Sequence, residues 1–170
     1  MQLPTEQEIN PVAENLDGQW AVRNFLGKSL DAAEAMFREE LDFHGEDLMF
    51  MGPVAFRYYI PAACRFLRSQ LPDADPPMIF DFAGVLQHRL EFDPNEMTSV
   101  AVELADLCAE ILARFTRFDE FDELMRDLRT RPELQGIISD DLYEQFGLEL
   151  GLRAQLTSVI SRLTALTHKE

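Results

Sequence analysis

The sequence has little positive charge. Its 170 residues include 15 Lys and Arg against 31 Asp and Glu, so the formal net charge is -16 at pH 7. Nucleic-acid backbones and anionic membrane surfaces repel a protein of this charge. We therefore expect no nucleic-acid partner and no membrane partner. A basic protein is the partner that this charge favours, because opposite charges attract and speed association.

The sequence has only two cysteines and shows no recognisable targeting signal. Cys64 and Cys108 each lie among apolar neighbours, which predicts two buried, reduced thiols rather than a disulfide. Residues 1–6 lack the basic and apolar stretches of a signal peptide. No apolar run approaches the roughly 20 residues that a membrane helix needs. From these features we expect a cytoplasmic protein.

The known catalytic signatures are missing. Gly27-Lys28-Ser29 resembles the end of a phosphate-binding loop, but Val22 stands where that loop needs its first glycine. The sequence holds no His-Glu-x-x-His and no Gly-x-Ser-x-Gly motif. None of its histidines follows a glutamate by three residues, as a di-iron bundle requires. The sequence therefore favours a non-enzymatic protein with no cofactor, and it offers no catalytic residue.

Apolar residues recur at helical spacing along most of the chain, and no segment shows the alternation of a strand. One helix is predicted to begin after Ser29, a good N-cap residue, and to end near His44-Gly45. Another is predicted to begin at Pro53 and is apolar almost all round, as is typical of a central helix. Pro61 lies inside this helix and removes a backbone donor, so we predict a kink or break near Pro61.

The spacing of prolines and glycines suggests the domain organisation. Residues 1–20 show little periodicity and are predicted to form an irregular lead-in. Residues 71–77 are rich in proline and predict a loop, which is a candidate sub-boundary. Gly147 and Gly151 are expected to split the last helical stretch in two. The sequence thus predicts an all-α fold: a single-domain bundle of five to seven helices over residues 21–170, with its central helix kinked.

An acidic and aromatic segment over residues 118–123 is the first candidate binding site. On a helix, its two phenylalanines share a face and its carboxylates cover the rest. The segment is either a patch for a basic partner, with the aromatics as anchors, or an amphipathic helix packed on the core. The four acids that we assign to partner binding are Asp119, Glu120, Asp122 and Glu123.

A second candidate lies in residues 39–47, which hold five carboxylates and one imidazole. Glu46 and Asp47 are further candidates for partner binding. His44, Glu46 and Asp47 are also weak candidates for metal ligands, because divalent metals bind carboxylate and imidazole groups. Their spacing matches no particular metal site, and a solvated helix end with an acidic turn explains them equally. With Tyr58 they define the alternative function, a small enzyme or a ligand- or metal-binding protein with a pocket there.

Long apolar stripes raise a third hypothesis. Apolar residues at helical spacing extend over residues 97–128 and again over residues 152–166. These faces are longer than one small chain needs for its own core, and such an excess is typical of a homo-oligomer.

One part of the chain resembles a group of small uncharacterised bacterial proteins that share a domain of unknown function. Residues 46–62 read EDLMxMGPxAFxYYxPA, and Gly27-Lys28-Ser29 lies upstream of them. The resemblance implies a bacterial source. By analogy with other small acidic bacterial proteins, it implies an immunity-like or antitoxin-like role toward a basic partner. It brings no established activity and no site residues.

Overall fold

A computed structural model describes residues 2–39, 41–71, 74, 76–114, 126–127, 130–131 and 140–168. Within these ranges the chain forms eight α-helices, one 3-10 helix and no strand, so the predicted all-α class is confirmed. The helices are α1 (Glu6–Ile9), α2 (Leu16–Phe25), α3 (Leu30–Glu39), α4 (Leu41–Phe50), α5 (Pro53–Gln70), α6 (Pro76–Phe92), the 3-10 helix (Pro94–Val100), α7 (Ala101–Arg114) and α8 (Asp140–Thr167).

The expected irregular lead-in over residues 1–20 is wrong in part, because residues 6–9 and 16–20 are helical while 2–5 and 10–15 are not. Thr5 Oγ1 accepts a hydrogen bond from the Glu8 amide at 3.3 Å, and Glu8 Oε2 accepts one from the Thr5 amide at 2.8 Å. This capping box begins α1, and the Asn15 side chain caps α2 in a similar way. Short capped helices carry too few residues for apolar periodicity to show. They bring the number of helices in the described part of the chain above the predicted five to seven.

Three glycines that suggested helix ends are helical. The helix predicted to end near His44-Gly45 ends earlier, at Glu39, and α4 then continues through Gly45. The helix α8 likewise continues through Gly147 and Gly151, so the predicted split is wrong. Near Gly45 and beside Gly151 the packing of buried residues, such as Leu48 and Leu152, outweighs the weak helix propensity of glycine.

The helix α5 is central, as predicted. It begins at Pro53, and ten of its residues are buried. It packs against α1, α3, α4, α7 and the 3-10 helix. It remains one helix through Pro61 as far as Gln70, which rules out a break there. The kink near Pro61 stays a prediction.

One apolar core joins the helices that the structure describes. A single cluster of buried residues extends from Ile9 to Leu166 and includes residues on both sides of the 71–77 segment. Within that segment α6 already begins at Pro76, and Ala74 is buried in this same core. None of the described helices is both long and apolar enough to cross a membrane.

Both cysteines are buried and free, which confirms the prediction of reduced thiols. Cys64 on α5 and Cys108 on α7 have no exposed surface. Burial raises the pKa of both thiols, that of Cys108 to about 12. Each therefore stays protonated and packs as a small apolar side chain.

Candidate functional site

An open cleft of about 550 Å³ lies between α4 and α6. It combines two carboxylates with apolar surface, and the Phe80 side chain is 41% exposed there. An Arg or Lys side chain complements such a lining, because its stem is apolar and its end is cationic. The lining residues are Gly45, Glu46, Met49, Phe80, Asp81, Gly84 and Val85.

Two glycines keep this cleft open. A Cβ atom built on Gly84 would meet no described atom within 4 Å, and one on Gly45 would meet only Val85 Cγ2, at 3.8 Å. The packing of the described residues therefore requires glycine at neither position. Glycine inside a helix costs roughly 0.5–1 kcal/mol relative to alanine. Both helices that form the walls of the cleft therefore contain a glycine that lowers their stability.

A second groove, of about 410 Å³, lies between α6 and α8. Phe80 lines both the cleft and this groove. Phe80, Gly84 and Gln87 follow one another at i, i+4 and i+7 and share one face of α6, which we call the α6 stripe. The stripe thus has the α4 cleft on one side and the α8 groove on the other. The groove is lined by Phe80, Gln87, Gly151, Gln155, Ser158, Val159 and Arg162.

A buried polar network holds α4 against α2. Asp47 is 5% exposed, and its Oδ2 accepts a hydrogen bond from Asn24 Nδ2 at 2.8 Å. The same oxygen lies 3.3 Å from His44 Nδ1. The His44 ring meets the rings of Phe25 and Phe37 edge-on, with centroids 5.9 and 6.5 Å apart. Desolvation raises the pKa of Asp47, and the contacts with Asn24 and His44 oppose that shift.

The structure separates the residues that the sequence grouped as a metal site. His44 and Asp47 contact each other inside the fold, whereas Glu46 is exposed and lines the cleft. Within the part of the chain that the structure describes, no three His, Cys, Asp or Glu side chains come together as a metal site. The suggested metal site at His44, Glu46 and Asp47 therefore does not form there.

The structure does not bring the remaining candidate residues together at one site. Asp47 is buried, so it is not available to a partner as predicted, because Asn24 covers it from α2. Tyr58 is 8% exposed and packs edge-on against Tyr59, with ring centroids 4.8 Å apart. Among the candidates for the predicted pocket, only Glu46 lines the cleft. The four acids of the other candidate, Asp119, Glu120, Asp122 and Glu123, lie outside the described residues.

Sequence reasoning missed Phe80, Asp81 and Gly84. Ile79, Phe82 and Leu86 recur at helical spacing in the sequence and are buried, so the apolar face of α6 follows from periodicity. Phe80 lies off that apolar face, on the face that should be polar. An aromatic residue on a polar face and a glycine in the middle of a helix are the two signals that could have indicated this surface.

Comparison with protein-family models, with curated proteins and with solved structures found no match. The function is therefore argued from the geometry and the charge of the site.

We expect Asp47→Asn to change how stability depends on pH. The folded-state pKa of Asp47 lies above its ordinary value of 3.8, so protonation of this carboxyl favours the folded state. That stabilisation is complete below the ordinary pKa and is lost as the pH rises through the folded-state pKa. Asparagine stays neutral, so the variant should be more stable relative to wild type at about pH 7 than at about pH 3.5, with a larger free energy of unfolding.

Chemical denaturation of both proteins at the two pH values measures this difference. Glu14→Gln is the control, because it makes the same carboxyl-to-amide change at an exposed side chain. A relative stability of Asp47→Asn that decreases toward neutral pH would show that hydrogen bonding, not desolvation, dominates at Asp47.

Proposed function

We propose that this protein is a non-enzymatic binding module for a basic protein, and that the cleft between α4 and α6 contacts the partner. The observation that carries the proposal is the lining of the cleft, where Glu46 and Asp81 lie beside the exposed ring of Phe80. Carboxylates next to exposed aromatic surface are typical of the rim and anchor of a protein interface. The net charge of -16 adds long-range attraction to a basic partner.

The ion pairs of the bundle distinguish Glu46 from other acids. Arg65 lies 3.3 Å from Asp31 and 3.1 Å from Glu34, so the charges on α3 are partly neutralised. Arg68 does the same for the α7 acids Glu103, at 3.5 Å, and Glu110, at 3.4 Å. Glu46 forms no ion pair with any residue that the structure describes, and its side chain is exposed. Its charge is therefore available to a cation from outside.

Among the described residues, His44 and both cysteine thiols are engaged inside the fold, which favours binding over the enzymatic alternative. His44 contacts Asp47 and two aromatic rings. The thiols of Cys64 and Cys108 are buried, and their pKa values are raised. A nucleophilic cysteine needs the opposite environment, with access to solvent and a lowered pKa.

A toxin or another basic effector is a partner of the right chemistry, so an immunity-like or antitoxin-like role is part of this proposal. The acids at positions 119–123 remain a second predicted surface for the same partner. A homo-oligomer remains a separate prediction, which light scattering tests directly.

Charge reversal in the cleft should weaken partner capture by about tenfold or more, because it replaces attraction by repulsion. The measurement is affinity capture of proteins from a source lysate with wild type and with Glu46→Lys/Asp81→Lys, at low and moderate salt. A basic protein should be retained by wild type at low salt and lost as the salt rises.

Glu14→Lys/Asp106→Lys is the matched control, because it changes the net charge equally at two exposed positions that do not line the cleft. It should retain most of the capture. If the cleft variant and the control capture the same basic protein equally well, the cleft is not the binding site. If no basic protein depends on salt or on either variant, the proposed function is wrong.

A further inference from the structure

The α6 stripe has the dimensions of a helix-binding surface. Phe80 and Gln87 are seven residues apart, which corresponds to about 10 Å along α6. That length matches the i to i+7 spacing of anchor residues on a bound amphipathic helix. Gly84 lies between them, and a Cβ atom there would meet no described atom within 4 Å. A second helix can approach closely at such a point, toward the short end of the usual interaxial range of about 8–10 Å.

The two flanks of the stripe carry different polar groups. On the α4 side Glu46 lines the cleft, and its carboxylate is exposed. On the α8 side, Gln155 Nε2 donates to Gln87 Oε1 at 2.9 Å, and Gln155 Oε1 is buried with no hydrogen-bond partner among the described residues. Arg162 lines the groove on this same side, so the α8 flank does not favour a cation. Only the α4 flank, with the exposed carboxylate of Glu46, is complementary to the donor groups of Arg and Lys.

We infer that the α6 stripe binds a basic amphipathic α-helix, with the apolar face of that helix over Phe80 and Gly84 and its Arg or Lys side chains beside Glu46. This inference rests on the proposed function and specifies the part of the partner that is recognised. Charge complementarity selects a basic occupant. It disfavours a second copy of this chain, since two chains of net charge -16 repel each other.

The test uses two labelled synthetic peptides of about 18 residues, composed of Leu, Ala and Lys and long enough to form a helix on binding. One places leucine at i, i+3, i+4 and i+7. The other has the same composition with the leucines distributed around the helix. Fluorescence anisotropy with the full chain at low salt measures the two dissociation constants. The amphipathic peptide should bind about tenfold or more tightly than the shuffled peptide.

Gly84→Gln places a side chain on the stripe and should weaken binding of the amphipathic peptide by about tenfold. Ala109→Gln is its control, because Ala109 is an exposed residue of α7, away from the stripe, and its change should leave binding unaltered. Circular dichroism of both variants checks that the fold is retained. Unchanged binding by a folded Gly84→Gln variant would overturn the inference.

The remaining outcomes separate this inference from the proposed function. Equal binding of the two peptides, weakened for both by Glu46→Lys/Asp81→Lys, would overturn the helix inference and leave the acidic cleft as a binding site. Absence of binding by either peptide would also overturn it, and the capture experiment then decides the proposed function alone. A wild-type dimer that becomes a monomer with Gly84→Gln would identify a second copy as the occupant and would overturn it as well.

Discussion

Replacing Arg89 by methionine is expected to lower the free energy of unfolding by about 3 kcal/mol. The side chain of Arg89 is 6% exposed. Its Nε donates to the Leu48 carbonyl at 3.3 Å, and Nη2 donates to the Met51 carbonyl. The guanidinium also lies over the Phe56 ring, 4.6 Å from its centroid. Methionine preserves most of the apolar stem but leaves both carbonyls without their donor.

The charge on Arg89 is costly to bury, and its contacts offset that cost. Desolvation lowers the pKa of Arg89, while Asp93 and Glu96 act in the opposite direction. The expected loss on substitution is therefore the cost of unpaired acceptors minus the relief of removing a buried charge.

Urea denaturation of wild type and Arg89→Met measures the loss, and Arg65→Met is the matched control. Arg65 forms two ion pairs, but its side chain is 43% exposed. Water and salt screen such pairs, so this control should lose no more than about 1 kcal/mol. Equal losses for the two variants would mean that the carbonyl contacts of Arg89 contribute little.

Arg89 also links the stability of the fold to the candidate site. It belongs to α6, while its two acceptor carbonyls belong to the last turn of α4 and to the residue after it. These two helices form the walls of the cleft. Arg89→Met should therefore weaken binding of the amphipathic peptide even at temperatures where the variant stays folded.

The second large effect is expected at Phe25, where truncation to alanine should cost about 4 kcal/mol. Phe25 is fully buried at the end of α2. Its ring centroid lies 4.8 Å from that of Tyr59, 5.8 Å from that of Phe37 and 5.9 Å from that of His44. Alanine removes these contacts and leaves a cavity that four helices surround.

Phe92→Ala is the control for this measurement, because it makes the same chemical change at a side chain that is 65% exposed. Urea denaturation should show a loss of about 1 kcal/mol or less for Phe92→Ala. A similar loss at Phe25 would mean that the ring contacts among α2, α3, α4 and α5 contribute little to stability.

Local features of the sequence predicted the local features of the fold. Pro53 begins α5, as its fixed backbone angle suggests. The apolar spacing from Ile79 predicts the buried face of α6 that packs into the core. The prediction was wrong where a local signal competes with tertiary packing. Gly45 and Gly151 are poor helix formers, yet they lie inside helices that neighbouring elements hold in place.

The candidate site was less accessible to sequence reasoning, because it depends on which helices become neighbours. The acidic composition of residues 39–47 identified Glu46 as a candidate binding residue, but it also suggested that the Asp47 side chain faces solvent. Asn24, which is 23 residues away in the chain, covers Asp47 instead. Asp81 and Phe80 gain their significance only when α4 packs against α6. The spacing of apolar residues along the chain does not indicate that α4 and α6 are neighbours.

The burial of both native thiols makes the protein well suited to site-specific labelling. Maleimide and disulfide reagents react with accessible thiolates, and Cys64 and Cys108 are neither accessible nor ionised near neutral pH. A cysteine introduced at an exposed position, such as 46 or 109, would react far faster than either native residue. A fluorophore or a photo-crosslinker can thus be attached at the cleft, or at a distant reference position, with the native sequence otherwise intact.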